Sequence, residues 1–417
     1  MANIGIMGHG VVGSGVVEVL TKNSSSIEKK AGQPVKIKKI LDLKEFNDSP
    51  YKELFTKNPD DILEDPDVPI VVEVMGGKEP AYTYAKKAIM SGKHVVTSNK
   101  ELVAQYGAEL LKLAKEKDVN FLFEASVGGG IPIIRPLSEC LAANEITEII
   151  GILNGTTNYI LTKMKKEGMR FEEALSDAQQ KGYAERDPSD DVEGYDAARK
   201  LAILASIAYD ERVDYHRIHT EGITSITKED AIYADYMGKA IKLLAICRSL
   251  GDRLMLRVSP VMIDRLSPLA NVDDVFNAIM VRGNAIGDVM FYGRGAGKLP
   301  TASAVVGDII DAVKHLETKK KNVWSRENDD NVMDIMETET RYFVRVEYDD
   351  EDKAADAVKS IFKDCQLIMC NDQSLKNELG FVTSTAKEKE LASLFEILIG
   401  HKDIKSIKNK IRIEHNL

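Results

Sequence analysis

The sequence predicts an α/β protein: a doubly wound parallel sheet first, an α+β stretch second and a ferredoxin-like βαββαβ unit last. Three observations carry this. Short β-branched runs alternate with helix-length patterns over the first third of the chain. From about Pro132, long helical patterns give way to β-rich stretches. Beyond residue 340, strand and helix patterns recur in the order βαββαβ over roughly 75 residues. At 417 residues the chain also exceeds one ordinary domain of about 100–200 residues.

In the first third the strand candidates are Asn3–Met7, Val35–Leu41, Ile70–Val74, His94–Thr97 and Asn120–Phe123, with helices at Gly13–Glu28, Ala81–Ser91 and Lys100–Lys117. Such alternation builds parallel βαβ units. The middle stretch offers helices at Tyr159–Glu167, Phe171–Lys181 and Asp191–Ala208, then strands at Leu254–Ile263 and Asp274–Val281. An amphipathic helix at Thr301–His315 follows a glycine-rich stretch, Asn284 to Gly297. Residues 317–340 are polar and charged and read as a linker. The tail offers strands at Arg341–Glu347, Leu367–Cys370, Gly380–Thr385 and Ile411–Glu414, with helices at Asp352–Phe362 and Lys387–Ile399. The expected domains are therefore 1–133, completed by about 298–316; 134–297; and 341–417.

Sixty-six acids against 56 bases give a net charge of −10, which repels polyphosphate and argues against nucleic acid as a partner. No apolar run is long enough to span a bilayer. Met1-Ala2-Asn3-Ile4-Gly5-Ile6 reads as a strand rather than a signal peptide, and Cys140, Cys247, Cys365 and Cys370 read as reduced thiols. A cytoplasmic protein is expected, with neither nucleic acid nor membrane as partner.

Gly8-His9-Gly10-Val11-Val12-Gly13 follows the first strand and opens a helix. In that setting the first glycine makes the turn, the second lets backbone approach a pyrophosphate, and the third allows close helix–strand packing. The helix N-terminus then favours phosphate. These are the marks of a Rossmann-type dinucleotide site, formed by Gly8, Gly10, Val11, Val12 and Gly13. Asp42 ends the second strand, where an acid would hydrogen-bond the adenine ribose and favour NAD. It stands farther from the glycines than usual, reads equally as a surface charge, and has Lys44 beside it, so NAD and NADP both stay open.

The stretch from Ala178 to Lys200 carries the chemistry. Gly182 ends a helix, Asp187-Pro188 breaks the chain, and Asp190 or Asp191 caps a new helix. On that helix Asp196 and Lys200 are four apart and share a face. Most such pairs are solvated ion pairs, but Leu201–Ala208 is nearly all apolar, so this helix is expected to be buried.

This stretch resembles the signature of homoserine dehydrogenases, and the resemblance extends over essentially the whole chain. It includes Val95–Lys100, Phe123–Pro132, Asn154–Leu161 and Gly293–Gly297. The resemblance implies reversible NAD(P)H-dependent reduction of L-aspartate 4-semialdehyde to L-homoserine, in threonine and methionine biosynthesis. By position it implies Lys200 as proton donor, Lys100 beside the nicotinamide and substrate, and Glu185, Asp191 and Asp196 on the substrate. It places Gly182 and Gly297 near the cofactor. It also implies a sodium ion held by Glu124 with the carbonyls of Val127, Gly129 and Ile131. The middle domain becomes a substrate and dimerisation domain, the tail an ACT domain, and the assembly a homodimer or homotetramer.

A free lysine has a pKa of about 10.4. Burial and the second ammonium of Lys100 would lower that of Lys200 while Asp196 raises it, so the sequence does not sign the net shift. Two other readings compete. A semialdehyde dehydrogenase needs a thiolate, and Cys140, the only cysteine nearby, sits in an apolar helix pattern. A catalytically silent, effector-sensing protein of the same fold would have lost Lys100 or Lys200, and both are present. An amino-acid effector at the tail is disfavoured by its first strand–helix turn, Tyr348-Asp349-Asp350-Glu351-Asp352-Lys353-Ala354. That turn has four acids in a row and no glycine, so the module is expected to serve mainly in subunit assembly through its strand edges.

Overall fold

The computed structural model describes residues 1–318, 324, 331–370 and 372–414. The chain divides into two compact units. One comprises Met1–Thr147, Arg199–Tyr215 and Ile279–Asp329; the other comprises Glu148–Ala198, His216–Ala278 and Asp330–Leu417.

The first unit is built on a six-stranded sheet of β1 (Ala2–Met7), β2 (Val35–Leu41), β3 (Phe55–Thr56), β4 (Ile70–Glu73), β5 (His94–Thr97) and β6 (Phe121–Leu122), in the order β3-β2-β1-β4-β5-β6. Every neighbouring pair is parallel. The order reverses between β1 and β4, so a crevice opens beyond their carboxyl ends, where doubly wound sheets bind ligands. β4 and β5 are buried along their whole length, as expected of strands covered on both faces. The helix Val11–Lys22 packs Val16, Val17 and Leu20 against Ala302, Val305, Val306 and Ile309 of the helix Lys298–Lys314. The late segment thus completes the core begun by the first residues.

In the second unit the long hairpin β9 (Lys239–Leu250) and β10 (Arg253–Asp264) is antiparallel along its full length. β7 (Ile146–Ile152) lies on the β9 side, and β8 (His219–Thr220) pairs in parallel with β10. β11 (Phe276–Gly283) begins in this unit and continues into the first, where β12 (Gly287–Arg294) is its neighbour. A short antiparallel pair joins β13 (Glu339–Thr340) to β17 (Ala386–Lys387). The tail contributes β14 (Tyr342–Glu347), β15 (Gln366–Ile368), β16 (Glu378–Val382) and β18 (Ser406–Ile413), with helices Glu351–Ile361 and Glu388–Ile399. Its strand order is β18-β14-β16-β15, the antiparallel sheet of a ferredoxin-like βαββαβ unit, closed over Val344, Phe362, Phe381, Phe395 and Leu398.

The tail does not stand apart as the sequence suggested. β18 pairs in parallel with β10, Val261 opposite Arg412 and Met262 opposite Ile413, so one sheet runs through both. One of the module's two strand edges is therefore satisfied within the chain.

The remaining departures have local causes. The helix expected over Gly13–Glu28 is two helices, Val11–Lys22 and Ser24–Ala31, separated at Asn23. The one expected over Asp191–Ala208 is a short turn of helix, Ser189–Val192, and a long one, Tyr195–Tyr209. Gly194 divides them at φ +84°, a left-handed conformation that a side chain disfavours. β7 and β9 carry no alternation legible in sequence: β9 is buried over its first nine residues, and a run apolar on both faces does not announce its period. Of the proposed linker, residues 319–323 and 325–330 lie outside the described residues. Its later part is packed structure: Asn331 and Met333 exchange main-chain hydrogen bonds with Leu254, and Val332 is buried. No helix among the described residues is long and apolar enough to cross a membrane.

Candidate functional site

Gly8 leaves β1 at φ +101°. A side chain at Gly13 would meet the Gly8 carbonyl oxygen at 2.0 Å, whereas beside Gly10 there is open space. Gly13 is thus required by the turn itself, while the protein does not require glycine at position 10. The free room there suits a ligand's close approach. Gly10 caps the helix with no side-chain hydrogen bond, and Val11 is exposed. The amide end of the helix is therefore presented to an anion.

Asp42 is fixed beside this turn. Its Oδ2 accepts the His9 amide at 2.8 Å and its Oδ1 accepts the Lys44 amide at 2.9 Å. The His9 ring packs edge-on to Phe46 and Phe55, at 4.9 Å from each. Burial lowers the His9 pKa, against the pull of Asp42. A cavity of about 300 Å³ opens next to it, between Ser14, Thr21, Tyr51 and Lys298.

At the ends of β4 and β5, Glu73 accepts from the Thr97 hydroxyl at 2.6 Å and from the Met75 amide at 2.8 Å. Burial raises its pKa. Asn99 caps the helix Lys100–Lys117, accepting from the Leu102 amide, and donates to the Gly77 carbonyl at 2.6 Å. These bonds fix Lys100, the first residue of that helix, at the carboxyl edge of the sheet.

The loop after β6 is tied down by charge. Glu124 Oε1 accepts the amides of Ile133 and Ile134 at 2.7 and 2.8 Å. Its Oε2 accepts the amide of Arg135 at 2.9 Å and the Arg135 guanidinium at 3.3 Å. Arg135 also reaches Asp308 at 3.0 Å, and Asp308 accepts the Glu124 amide at 2.8 Å. Burial pushes Asp308 up to about 7 against the pull of Arg135. The Glu124 carboxylate, expected to face a sodium ion, is instead committed to four donors. Gly129 accompanies it at φ +56°; Val127, Gly129 and Ile131 are buried, Val127 just before the Gly128–Ile131 turn and the other two within it.

In the second unit, Asp191 lies on the short helix and Asp196 begins the long one. Asn154, N-cap of the helix Gly155–Glu167, donates to both, at 2.7 Å to Asp191 and 2.9 Å to Asp196. In sequence Asn154 carries no sign of this role, because nothing local ties it to residues about 40 positions away. Gly222 packs against the Val192 carbonyl, and the Ile223 amide donates to that carbonyl at 2.8 Å, which holds the turn between the two acids. Glu185 is exposed, its main-chain carbonyl accepting from Gln179, and Gly182 is exposed after the helix Phe171–Gln180. The helix Tyr195–Tyr209, which passes from the second unit into the first at Arg199, carries Asp196 (2% exposed) and Lys200 (9% exposed) one turn apart. In the first unit, Gly297 caps the helix Lys298–Lys314.

The family profile described as homoserine dehydrogenase matches residues 132–310, and that described as homoserine dehydrogenase, NAD binding domain, matches residues 8–124. A homoserine dehydrogenase of Bacillus subtilis is 38% identical over 99% of this chain and 98% of its own length. One of Synechocystis is 47% identical over 76% of this chain and 75% of its own. The crystal structure of a homoserine dehydrogenase from Thiobacillus denitrificans superposes with a TM-score of 0.89 at 36% identity, covering 99% of this chain and 98% of that one. With a dinucleotide turn, a doubly wound sheet and a buried Asp–Lys helix already in place, this chain belongs to the homoserine dehydrogenase family.

Proposed function

We propose that the chain reduces L-aspartate 4-semialdehyde reversibly to L-homoserine with Lys200 as the proton donor. A bound nicotinamide dinucleotide would supply the hydride to the carbonyl carbon. The Lys200 ammonium gives a proton to the carbonyl oxygen as negative charge develops there, and takes it back in the reverse direction. The observation that carries this reading is a buried lysine one turn from a buried aspartate on a single helix. Charged side chains are rarely buried without a task.

Lys100, fixed by Asn99 at the sheet's carboxyl edge, is suited to stand between nicotinamide and substrate. Asp191, Asp196 and Glu185 supply carboxylates for the ammonium of an amino-acid substrate. Gly8, Gly10, Val11, Val12 and Gly13 are suited to receive the pyrophosphate, and Gly182 and Gly297 are given to the cofactor by the family resemblance alone. The orientation of Asp42 by two amides supports a hydrogen bond to a ribose hydroxyl and disfavours a 2′-phosphate, so NAD is the preferred cofactor.

A sodium site does not fit the Glu124 carboxylate, whose oxygens are engaged. A hard monovalent cation here would take the main-chain carbonyls of Val127, Gly129 and Ile131. The tail is read as an ACT-type module, and the assembly as a homodimer or homotetramer. The turn expected to exclude an effector carboxylate keeps its acids: Asp350 caps the helix Glu351–Ile361, and Asp349 pairs with Lys405 at 2.5 Å.

The test is direct. Purified protein with L-homoserine reduces the nicotinamide, read as absorbance at 340 nm, with a higher kcat/KM for NAD than for NADP. No turnover with either cofactor between about pH 7 and 10, the range in which a lysine acid–base works, refutes the reading.

A further inference from the structure

We infer that Asn154 is a positioning residue for the substrate: its side-chain amide sets the spacing of the Asp191 and Asp196 carboxylates. The inference rests on the roles proposed above for those two acids. Asn154 is 6% exposed. Its Oδ1 accepts from the Thr157 amide at 2.9 Å and the Thr157 hydroxyl at 3.1 Å. Its Nδ2 donates to Asp191 Oδ1 at 2.7 Å and to Asp196 Oδ2 at 2.9 Å. The two ends of one amide are therefore used in opposite senses. The oxygen anchors the group to the first turn of the helix Gly155–Glu167, and the nitrogen carries that reference point to two acids on separate helices divided at Gly194.

The chemistry of the residue explains the choice. Two carboxylates drawn to one nitrogen repel each other, and each raises the cost of ionising its neighbour. Two N–H donors offset that repulsion without cancelling the charge. Each carboxylate offers about four acceptor positions, and the bond from Asn154 takes only one on each. A lysine or arginine at position 154 would neutralise the pair and compete with the substrate. An aspartate would cap the helix equally well but bring a third negative charge.

The test uses Asn154→Asp and Asn154→Ser in the full-length enzyme. Both keep an N-cap acceptor and both lose the two amide donors. KM for L-homoserine is expected to rise by about ten- to a hundredfold, the worth of charge-assisted hydrogen bonds. KM for the dinucleotide stays within about twofold, and kcat falls less than KM rises. In Asn154→Asp the KM defect shrinks as pH is lowered from about 8 to about 6, because a protonated carboxyl regains one donor. In Asn154→Ser the defect shows no such recovery. Unchanged KM for homoserine in both variants overturns the inference. So does a parallel rise of both KM values with a large drop in melting temperature, which marks a merely structural role. Failure of the underlying reading shows elsewhere, as absence of homoserine turnover in the wild-type enzyme.

Discussion

Glu414→Gln tests what joins the tail to the rest of the second unit. Glu414 directly follows β18, and its amide donates to the Met262 carbonyl at 3.0 Å. Its carboxylate bonds the guanidinium of Arg257 and, at 2.7 Å, that of Arg248. Arg257 is 1% exposed, and Arg248 also pairs with Glu148 on β7. Burial would raise the Glu414 pKa, but the two arginines outweigh it and hold the group below the usual carboxylate range. Glutamine keeps the shape and removes the charge, leaving the Arg257 guanidinium buried beside a neutral amide. Breaking a buried pair in this way costs about 3–5 kcal/mol. For a unit of about 200 residues each kcal/mol moves Tm by about 2–4 °C, so a fall of roughly 10 °C is expected in a melt followed by circular dichroism. The paired control Glu414→Gln with Arg257→Met removes the orphaned charge and recovers part of the loss. A single variant melting within about 2 °C of wild type, well under the cost of an orphaned buried charge, would refute the argument. The same contacts predict that deleting residues 341–417 destabilises the second unit, whereas sequence alone suggested a separable module.

Three further outcomes follow from other parts of the molecule. Lys200→Ala lowers kcat by about 10²–10⁴, the usual worth of a general acid, with dinucleotide affinity from fluorescence titration nearly unchanged; a variant keeping half of the wild-type kcat moves the role to Lys100. Glu124→Gln turns an acceptor of three amides and Arg135 into a group with one acceptor oxygen, so a loss of about 2–4 kcal/mol is expected in denaturant titration, independent of sodium concentration; rescue by added sodium would restore a cation role for that carboxylate. At Glu221, burial alone would raise the pKa, but hydrogen bonds from His219 and the charge of Arg412 hold it at about 2. A depressed acid contributes stability that is full above its unfolded value of about 4.3 and is lost as pH falls toward the folded one. Acid titration of Glu221→Gln should therefore show a shallower loss between about pH 4.3 and 2 than wild type; identical acid profiles would remove Glu221 from that role.

Much of the first unit was legible in sequence because its signals are local. A parallel strand buried on both faces is a short β-branched run, as in β5, and an alternating one such as β2 is read from its period; both begin and end at the residues so read. The dinucleotide turn is legible for the same reason, since Gly8 is favoured by its own positive φ and Gly13 by its contact with the Gly8 carbonyl five residues before it. Helix spacing alone also puts Asp196 and Lys200 on one face, while the role of proton donor comes to Lys200 only from the family resemblance. Tertiary structure decided the rest. Whether the Glu124 carboxylate faces a cation or four donors depends on where Ile133, Ile134 and Arg135 turn back upon it. That Asn154 holds Asp191 and Asp196 depends on three elements converging, and no periodicity encodes convergence. The union of tail and hairpin depends on two rungs of parallel pairing and on Glu414 meeting Arg257 across 157 residues. Hydrogen bonds and ion pairs between distant segments leave no trace in local pattern, since either partner reads alone as an ordinary surface charge.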